Sequence, residues 1–348
     1  MSMTTVPGFK HFETLHCVTG SMRHVYAWAG HDLSEELLLG LGEGVGFAYF
    51  RFKGQAPFLG GRAQPRPSME AIAGARTGVR IERKSSSSDA SAERSLGAEL
   101  DAGRPVMLQV DMGFLPYLDF GGQEYHFGGH VVVACGVASG AEAEKGGYLV
   151  ADREGPLHAV PADALSAARA SRYKPFPPGR AWWRFDFEGA REPRPEELVL
   201  AIRNQCALML DPPIANIGVK GIAKASKECL VWPDVLEPNR LSETLFNLYI
   251  FVNAKGGTGG GCFRYMFGRF LAEASALGAP AAVGKLAPSY KAIGDAWEEA
   301  AELCRAATEG AGMEEAAARA ALSGLSRRLE GIAGLEAEAW SALRKAVG

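Results

Sequence analysis

The chain has 348 residues, more than one typical core accommodates, and reads as two domains. Its 47% hydrophobic and 22% charged content are those of a soluble globular protein. A net charge of −3 gives no reason to expect nucleic acid or an anionic membrane as partner, and no run of about 18 apolar residues marks a membrane-spanning helix.

The N-terminus Met1-Ser2-Met3-Thr4-Thr5-Val6-Pro7 lacks a basic region followed by an apolar stretch, so no signal peptide is expected and the cytoplasm is the default location. Six cysteines without CxxC spacing argue against a disulfide framework or a structural zinc site, and no cofactor is expected. In a reducing compartment a reactive thiol stays available. The seven histidines (His11, His16, His24, His31, His126, His130 and His158) all precede residue 159, which puts any histidine chemistry in the N-terminal half.

The first element is a helix. The run His16-Cys17-Val18-Thr19-Gly20-Ser21 leads into the helical apolar pattern Met22, Val25, Tyr26, Trp28, Ala29. Cys17 therefore lies at or just before a helix N-terminus, where the exposed amide N–H groups favour thiolate over thiol. The competing reading is a small buried residue, since free cysteine is among the most often buried types. Arg23 and His24, farther along this helix, are candidate substrate-binding residues.

A second short helix follows over His31–Gly40, with Ser34 or Asp32 as cap and Glu35 and Glu36 in its first turn. Gly42–Gly46 precedes the aromatic strand Phe47–Phe52, so this glycine run reads as a turn rather than a phosphate loop. Residues 60–104 are helical in pieces, with the serine tract 85–91 as a solvated loop or helix start. Three strands are predicted at Pro105–Val110, Gly129–Ala138 and Gly147–Asp152. The last two form a hairpin across the polar segment Ser139–Gly146.

Arg172–Arg180 reads as a linker, and Trp182–Phe187 as one further strand or, alternatively, a stacking surface. From about Pro193 the pattern is helical: Glu196–Met209, Lys220–Trp232, Glu243–Phe251, Cys262–Ala276, and 289–346 with an interruption near Gly310–Gly312. Gly256–Gly261, with Lys255 and Arg264 nearby, is either an anion-binding loop or a flexible linker. The Ala-rich C-terminal helices offer a surface for a second copy, so a homodimer is one expectation.

Cys17 needs a base, and His130 at the start of the β-branched run Gly129–Val137 is the first candidate. The alternative is a histidine satisfied by a backbone carbonyl. Asp152 ends the next predicted strand, so a hairpin would bring it beside His130, where it would orient the imidazole. Its alternative role is a turn-starting aspartate paired with Arg153. His126 is the rival base.

The order of a cysteine at a helix start, then histidine and aspartate on adjacent strands, resembles that of papain-like cysteine enzymes, in particular bacteriocin-processing peptidases. The chain is more similar still to the butirosin biosynthesis protein H family. The resemblance rests on residues 16–24, Leu33–Gly42, Gly129–Val133 and Val150–Asp152, covers roughly residues 10–185, and extends more weakly to Thr258–Arg264 and Phe270–Ala274. It implies an α+β papain-like catalytic domain with an antiparallel sheet over 1–188 and a mostly α-helical domain over 189–348. It also implies acyl transfer from a thioester on an acyl carrier protein or coenzyme A to a small amine, through an S-acyl-Cys17 intermediate. Papain-like enzymes place an oxyanion-donating glutamine six residues before the cysteine; that position is His11 here, and His16 is a second support candidate. Two readings stand against the transferase: a cysteine hydrolase, and a catalytically silent protein that holds a peptide or carrier domain. Separation of Cys17, His130 and Asp152 in the fold would remove the enzyme reading.

Overall fold

A computed structural model describes residues 2–52, 55–62, 67–139, 146–174, 176–256, 259–308 and 315–348. Among these the chain forms two compact units. The first comprises Met1–Leu38 and Thr77–Arg191, the second Leu39–Arg76 and Glu192–Gly348. The chain is α+β, with an antiparallel sheet in one unit and helices dominating the other. Among the described residues no helix is long and apolar enough to cross a membrane.

In chain order the first unit contains β1 (Ser2–Thr5), α1 (Cys17–Trp28) and the start of α2 (Glu35–Leu41). The second unit then takes β2 (Ala48–Phe50), β3 (Phe58–Gly60) and α3 (Met69–Thr77) up to Arg76. The chain returns to the first with β4 (Arg80–Ser85), α4 (Asp89–Asp101), β5 (Val106–Val110), β6 (His130–Ser139), β7 (Gly147–Ala151), β8 (His158–Pro161), α5 (Ala162–Ala170) and β9 (Ala181–Asp186). Its sheet runs β4-β9-β5-β6-β7-β8 with every pairing antiparallel. The long β6 pairs with β5 over His130–Ala134 and with β1 over Gly136–Ser139, while β7 takes its other edge.

Alternation explains the core of this unit. Val106, Leu108 and Val110 of β5, Val132 and Ala134 of β6, Val150 of β7 and Val160 of β8 share one face. Leu96 and Leu100 of α4 and Leu165 and Ala168 of α5 cover that face. Each fully buried Val or Leu contributes about 1.5–3 kcal/mol. Helix α4 starts at Ser88, whose side chain accepts the Ser91 N–H at 3.2 Å. The serine tract thus ends as a helix cap.

The predicted hairpin is present as the antiparallel pair β6–β7, with a register shift between Ala134 and Gly136. Residues 140–145 of the connecting loop lie outside the described residues. Helix α1 packs against β6, and Ser21 Oγ donates to Val131 O at 3.4 Å. Gly20 permits the turn that precedes it: a Cβ there would stand 2.3 Å from Thr14 Oγ1.

The second unit contains the β2–β3 ribbon and α6 (Pro195–Leu210), α7 (Gly218–Glu228), α8 (Trp232–Val235), α9 (Pro238–Val252), α10 (Gly260–Ala276), α11 (Ala281–Gly284), α12 (Ala287–Thr308) and α13 (Glu315–Val347). Residues 39–76 join this unit instead of completing a continuous 1–188 domain, and specific polar bonds explain why. Buried Gln205 accepts the Val45 N–H and donates to Gly40 O. Asn216 exchanges two bonds with the backbone of Tyr49, and Arg264 donates to Gly46 O. These partners lie about 160 or more residues apart in the chain, where no local pattern reports them.

The Gly256–Gly261 run falls partly outside the described residues, at 257–258. Its described end is a close backbone approach, since a Cβ on Gly61 would stand 2.3 Å from the Gly259 Cα. The interruption expected near Gly310–Gly312 also lies outside them, as does Pro175 in the expected 172–180 linker. That stretch leads into β9, which places Trp182 and Trp183 between β4 and β5 with Trp183 buried.

Candidate active site

Cys17 is the first residue of α1, and His16 is its N-cap. The His16 side chain accepts the Thr19 N–H, so the cap uses an imidazole where a serine or aspartate is usual. A buried carboxylate fixes the same turn. Glu35, at the start of α2, accepts the Leu15 N–H at 2.7 Å on Oε2 and the His16 N–H and Thr19 hydroxyl on Oε1, at 3.1 and 3.0 Å. Burial raises its pKa, opposed by those three bonds. From the other side Thr14 donates its N–H to Arg153 O, and the Arg153 guanidinium donates to Leu15 O. The residues before Cys17 are thereby tied to the end of β7.

His130 opens β6 opposite Val110, and Asp152 follows directly on β7. The two are buried at 4% and 7% exposure. His130 Nε2 donates to Asp152 Oδ2 at 2.8 Å, and Cys17 lies near enough to the same imidazole to act on its charge. Burial, the largest single influence on His130, opposes its charge. The nearby Asp152 carboxylate and its hydrogen bond, with a smaller contribution from Cys17, together outweigh it and raise the pKa. Asp152 is lowered in turn: burial works against ionisation, but His130, the Arg153 N–H and the Tyr117 hydroxyl overcome it. Of the three residues expected together, His130 and Asp152 are bonded directly, and Cys17 lies beside the imidazole.

Tyr117 was not legible in advance. It lies on the 111–129 connection between β5 and β6, and its hydroxyl donates to Asp152 Oδ2 at 2.9 Å. Its ring stacks on His158 with centroids 3.8 Å apart. Aromatic residues crowd this connection (Phe114, Tyr117, Phe120, Tyr125, Phe127), but nothing in their spacing singles out position 117.

The secondary candidates take other places. His11 Nε2 donates to the Asp152 carbonyl at 3.2 Å, so it is engaged with the backbone of the aspartate. His24 is buried, receives the Phe12 N–H at 3.1 Å, and stacks on His11 at 5.2 Å. Burial first, then the charges of His11 and Arg23, hold its pKa down to about 4. The Arg23 guanidinium lies 4.5 Å over the Phe12 ring. Arg264 is fully buried in the second unit, paired with Glu336 at 2.7 Å, which is a core position and not a solvent-facing anion site.

The rival base His126 belongs to a separate cluster. Its Nδ1 is 2.9 Å from Oδ2 of Asp111, a fully buried residue. Asp111 also accepts the Ser171 hydroxyl and the N–H groups of Gly113 and Phe127. Tyr173 stacks on the His126 ring at 3.4 Å.

These features define an α+β chain whose sheet-bearing unit carries a buried, hydrogen-bonded His130–Asp152 pair with Cys17 beside it at a helix N-terminus. Residues 16–153 match the family model described as butirosin biosynthesis protein H, N-terminal, and residues 163–343 match a domain of unknown function (DUF4872). The chain belongs to the butirosin biosynthesis protein H-like family. Comparison with the curated proteins gives no match.

Proposed function

We propose that this protein is a papain-like cysteine acyltransferase of small-molecule or peptide biosynthesis, with its first unit as the catalytic one. The observation that carries the reading is the buried His130 imidazole, hydrogen-bonded to Asp152 at 2.8 Å, with Cys17 beside it at the start of a helix. A nucleophile, a base and a group that orients the base are the parts that acyl transfer needs.

Cys17 gives its proton to His130 and attacks the carbonyl of an acyl thioester on a carrier protein or coenzyme A. The thioester C–S bond breaks, and the departing thiolate takes the proton from His130. An incoming amine then attacks the S-acyl enzyme. His130 accepts the amine proton and returns it to the Cys17 sulfur as the enzyme C–S bond breaks. Asp152 keeps the imidazolium stable through both halves. Amide formation from a thioester is downhill, and a water-poor site favours amine over hydrolysis. Family membership supports a biosynthetic role of this kind.

The test is intact-mass analysis after incubation with an acetyl thioester, with and without a panel of small amines. Wild type should gain one acyl adduct that the right amine discharges as an amide. An equal adduct on Cys17→Ala, or none on wild type, would overturn the mechanism. Discharge by water at a rate no amine increases would make the protein a hydrolase.

A further inference from the structure

We propose that Tyr117 is a positioning residue of the Cys17–His130–Asp152 reaction, its hydroxyl setting the orientation and basicity of the Asp152 carboxylate. This rests on the acyltransferase reading above. The ionised carboxylate can only accept hydrogen bonds, so the phenolic proton points at Asp152 Oδ2. That oxygen also receives His130 Nε2, at 2.8 Å against 2.9 Å for the phenol. Oδ1 receives the Arg153 N–H at 2.7 Å, and the main-chain carbonyl of Asp152 receives His11. Every rotation of the carboxylate away from His130 therefore breaks a second bond besides the one to the imidazole.

The same donor matters for proton traffic. Oδ2 shares its electron density between two donors, so it pulls less strongly on the His130 proton than an unshared buried carboxylate would. His130 has to release its proton to the leaving thiolate within each cycle, and a weaker grip speeds that release. The charged and titratable groups facing the pair are Cys17, His130, His11, His24, Tyr117 and Arg153. Among them Tyr117 is the one side-chain hydroxyl in contact with Asp152. Two features hold it in place: the stack on His158, and the Asp111 carboxylate that ties Gly113 and Phe127 together around the loop.

The test substitutes Tyr117→Phe, which keeps the ring and its stack on His158. The rate of Cys17 acylation by the acetyl ester of N-acetylcysteamine is followed by intact mass from pH 6 to 10, and the His130 imidazole is titrated by NMR. Acylation should slow by about tenfold, the effect of one hydrogen bond to a charged group, while the thioester concentration at half-maximal rate is unchanged. The His130 titration should move to higher pH, because Oδ2 loses its competing donor. A merely structural role would lower the folded fraction without moving that titration. Unchanged rate and titration in Tyr117→Phe, with Cys17→Ala unreactive beside it, overturn the role of Tyr117 alone. An acyl adduct that persists on Cys17→Ala overturns the acyltransferase reading, and this proposal with it.

Discussion

Asp152→Asn is the substitution that most directly probes the site. It leaves the shape of the side chain but removes the charge on which His130 depends. Asp152 accepts three bonds through its carboxylate, from His130, Tyr117 and Arg153, and both members of the central pair are almost fully buried. Losing one partner of a buried ion pair costs about 3–5 kcal/mol. Asparagine still offers one oxygen acceptor, so the lower end of that range, about 3 kcal/mol, is expected. Without the carboxylate, burial, the largest influence on the imidazole, is opposed only by the smaller contribution of Cys17 and favours the neutral form, so proton transfer from Cys17 loses most of its driving force. In the serine-triad template the equivalent change lowers kcat about 10⁴-fold, and a loss of that order is expected in Cys17 acylation. The pH dependence has a defined sign. The folded-state pKa of His130 is raised above its unfolded value, so its stabilising contribution is complete below about pH 6.5 and is lost as pH rises through the folded value. The guanidinium midpoint of the wild type should therefore fall on the alkaline side of neutrality, and that of Asp152→Asn should be flatter there. An Asp152→Asn protein that acylates at the wild-type rate, or keeps the alkaline slope, would refute the reasoning.

Two further predictions concern the scaffold. Gly20→Ala places a methyl group 2.3 Å from Thr14 Oγ1 and should destabilise the protein by about 1–3 kcal/mol through overpacking; an unchanged denaturation midpoint would show that the Thr14 turn yields freely. Glu336→Gln strands the buried Arg264 charge and weakens the acceptor shared by Trp297 Nε1 and Trp340 Nε1. A loss of about 3–5 kcal/mol is expected, read from tryptophan fluorescence during unfolding, and a wild-type midpoint would contradict it.

Local patterns carried much of the candidate trio. Cys17 was visible because an apolar helical repeat starts just after it, and His130 because β-branched residues follow it without interruption. The hairpin then joined His130 to Asp152 without any long-range information. What escaped was non-local or masked by polarity. Strand β4 reads Arg-Ile-Glu-Arg-Lys-Ser with Ile81 as its one buried residue, since it lies at the edge of the sheet. An edge strand buries too little to show an apolar alternation. The transfer of 39–76 to the second unit depends on Gln205, Asn216 and Arg264, far along the chain. Glu35 looked like an ordinary first-turn acid of its helix, yet its carboxylate reaches back to the turn before Cys17. His11, at the position where a glutamine was expected, is bound to the carbonyl of Asp152.

The Asp111 carboxylate gives the β5–β6 connection an unusual kind of independence. One oxygen accepts the N–H of Gly113 near the beginning of the excursion and of Phe127 near its end, so the loop is closed on itself at a single side chain. The register of Val110 against His130 is then set by the strands and this closure, not by what lies between. Loop length enters closure entropy only logarithmically. Leu115 anchors the first part of the excursion in the core, so the freedom to vary lies in the exposed stretch Gly121–Glu124, where residues can be exchanged or added with little consequence for the sheet.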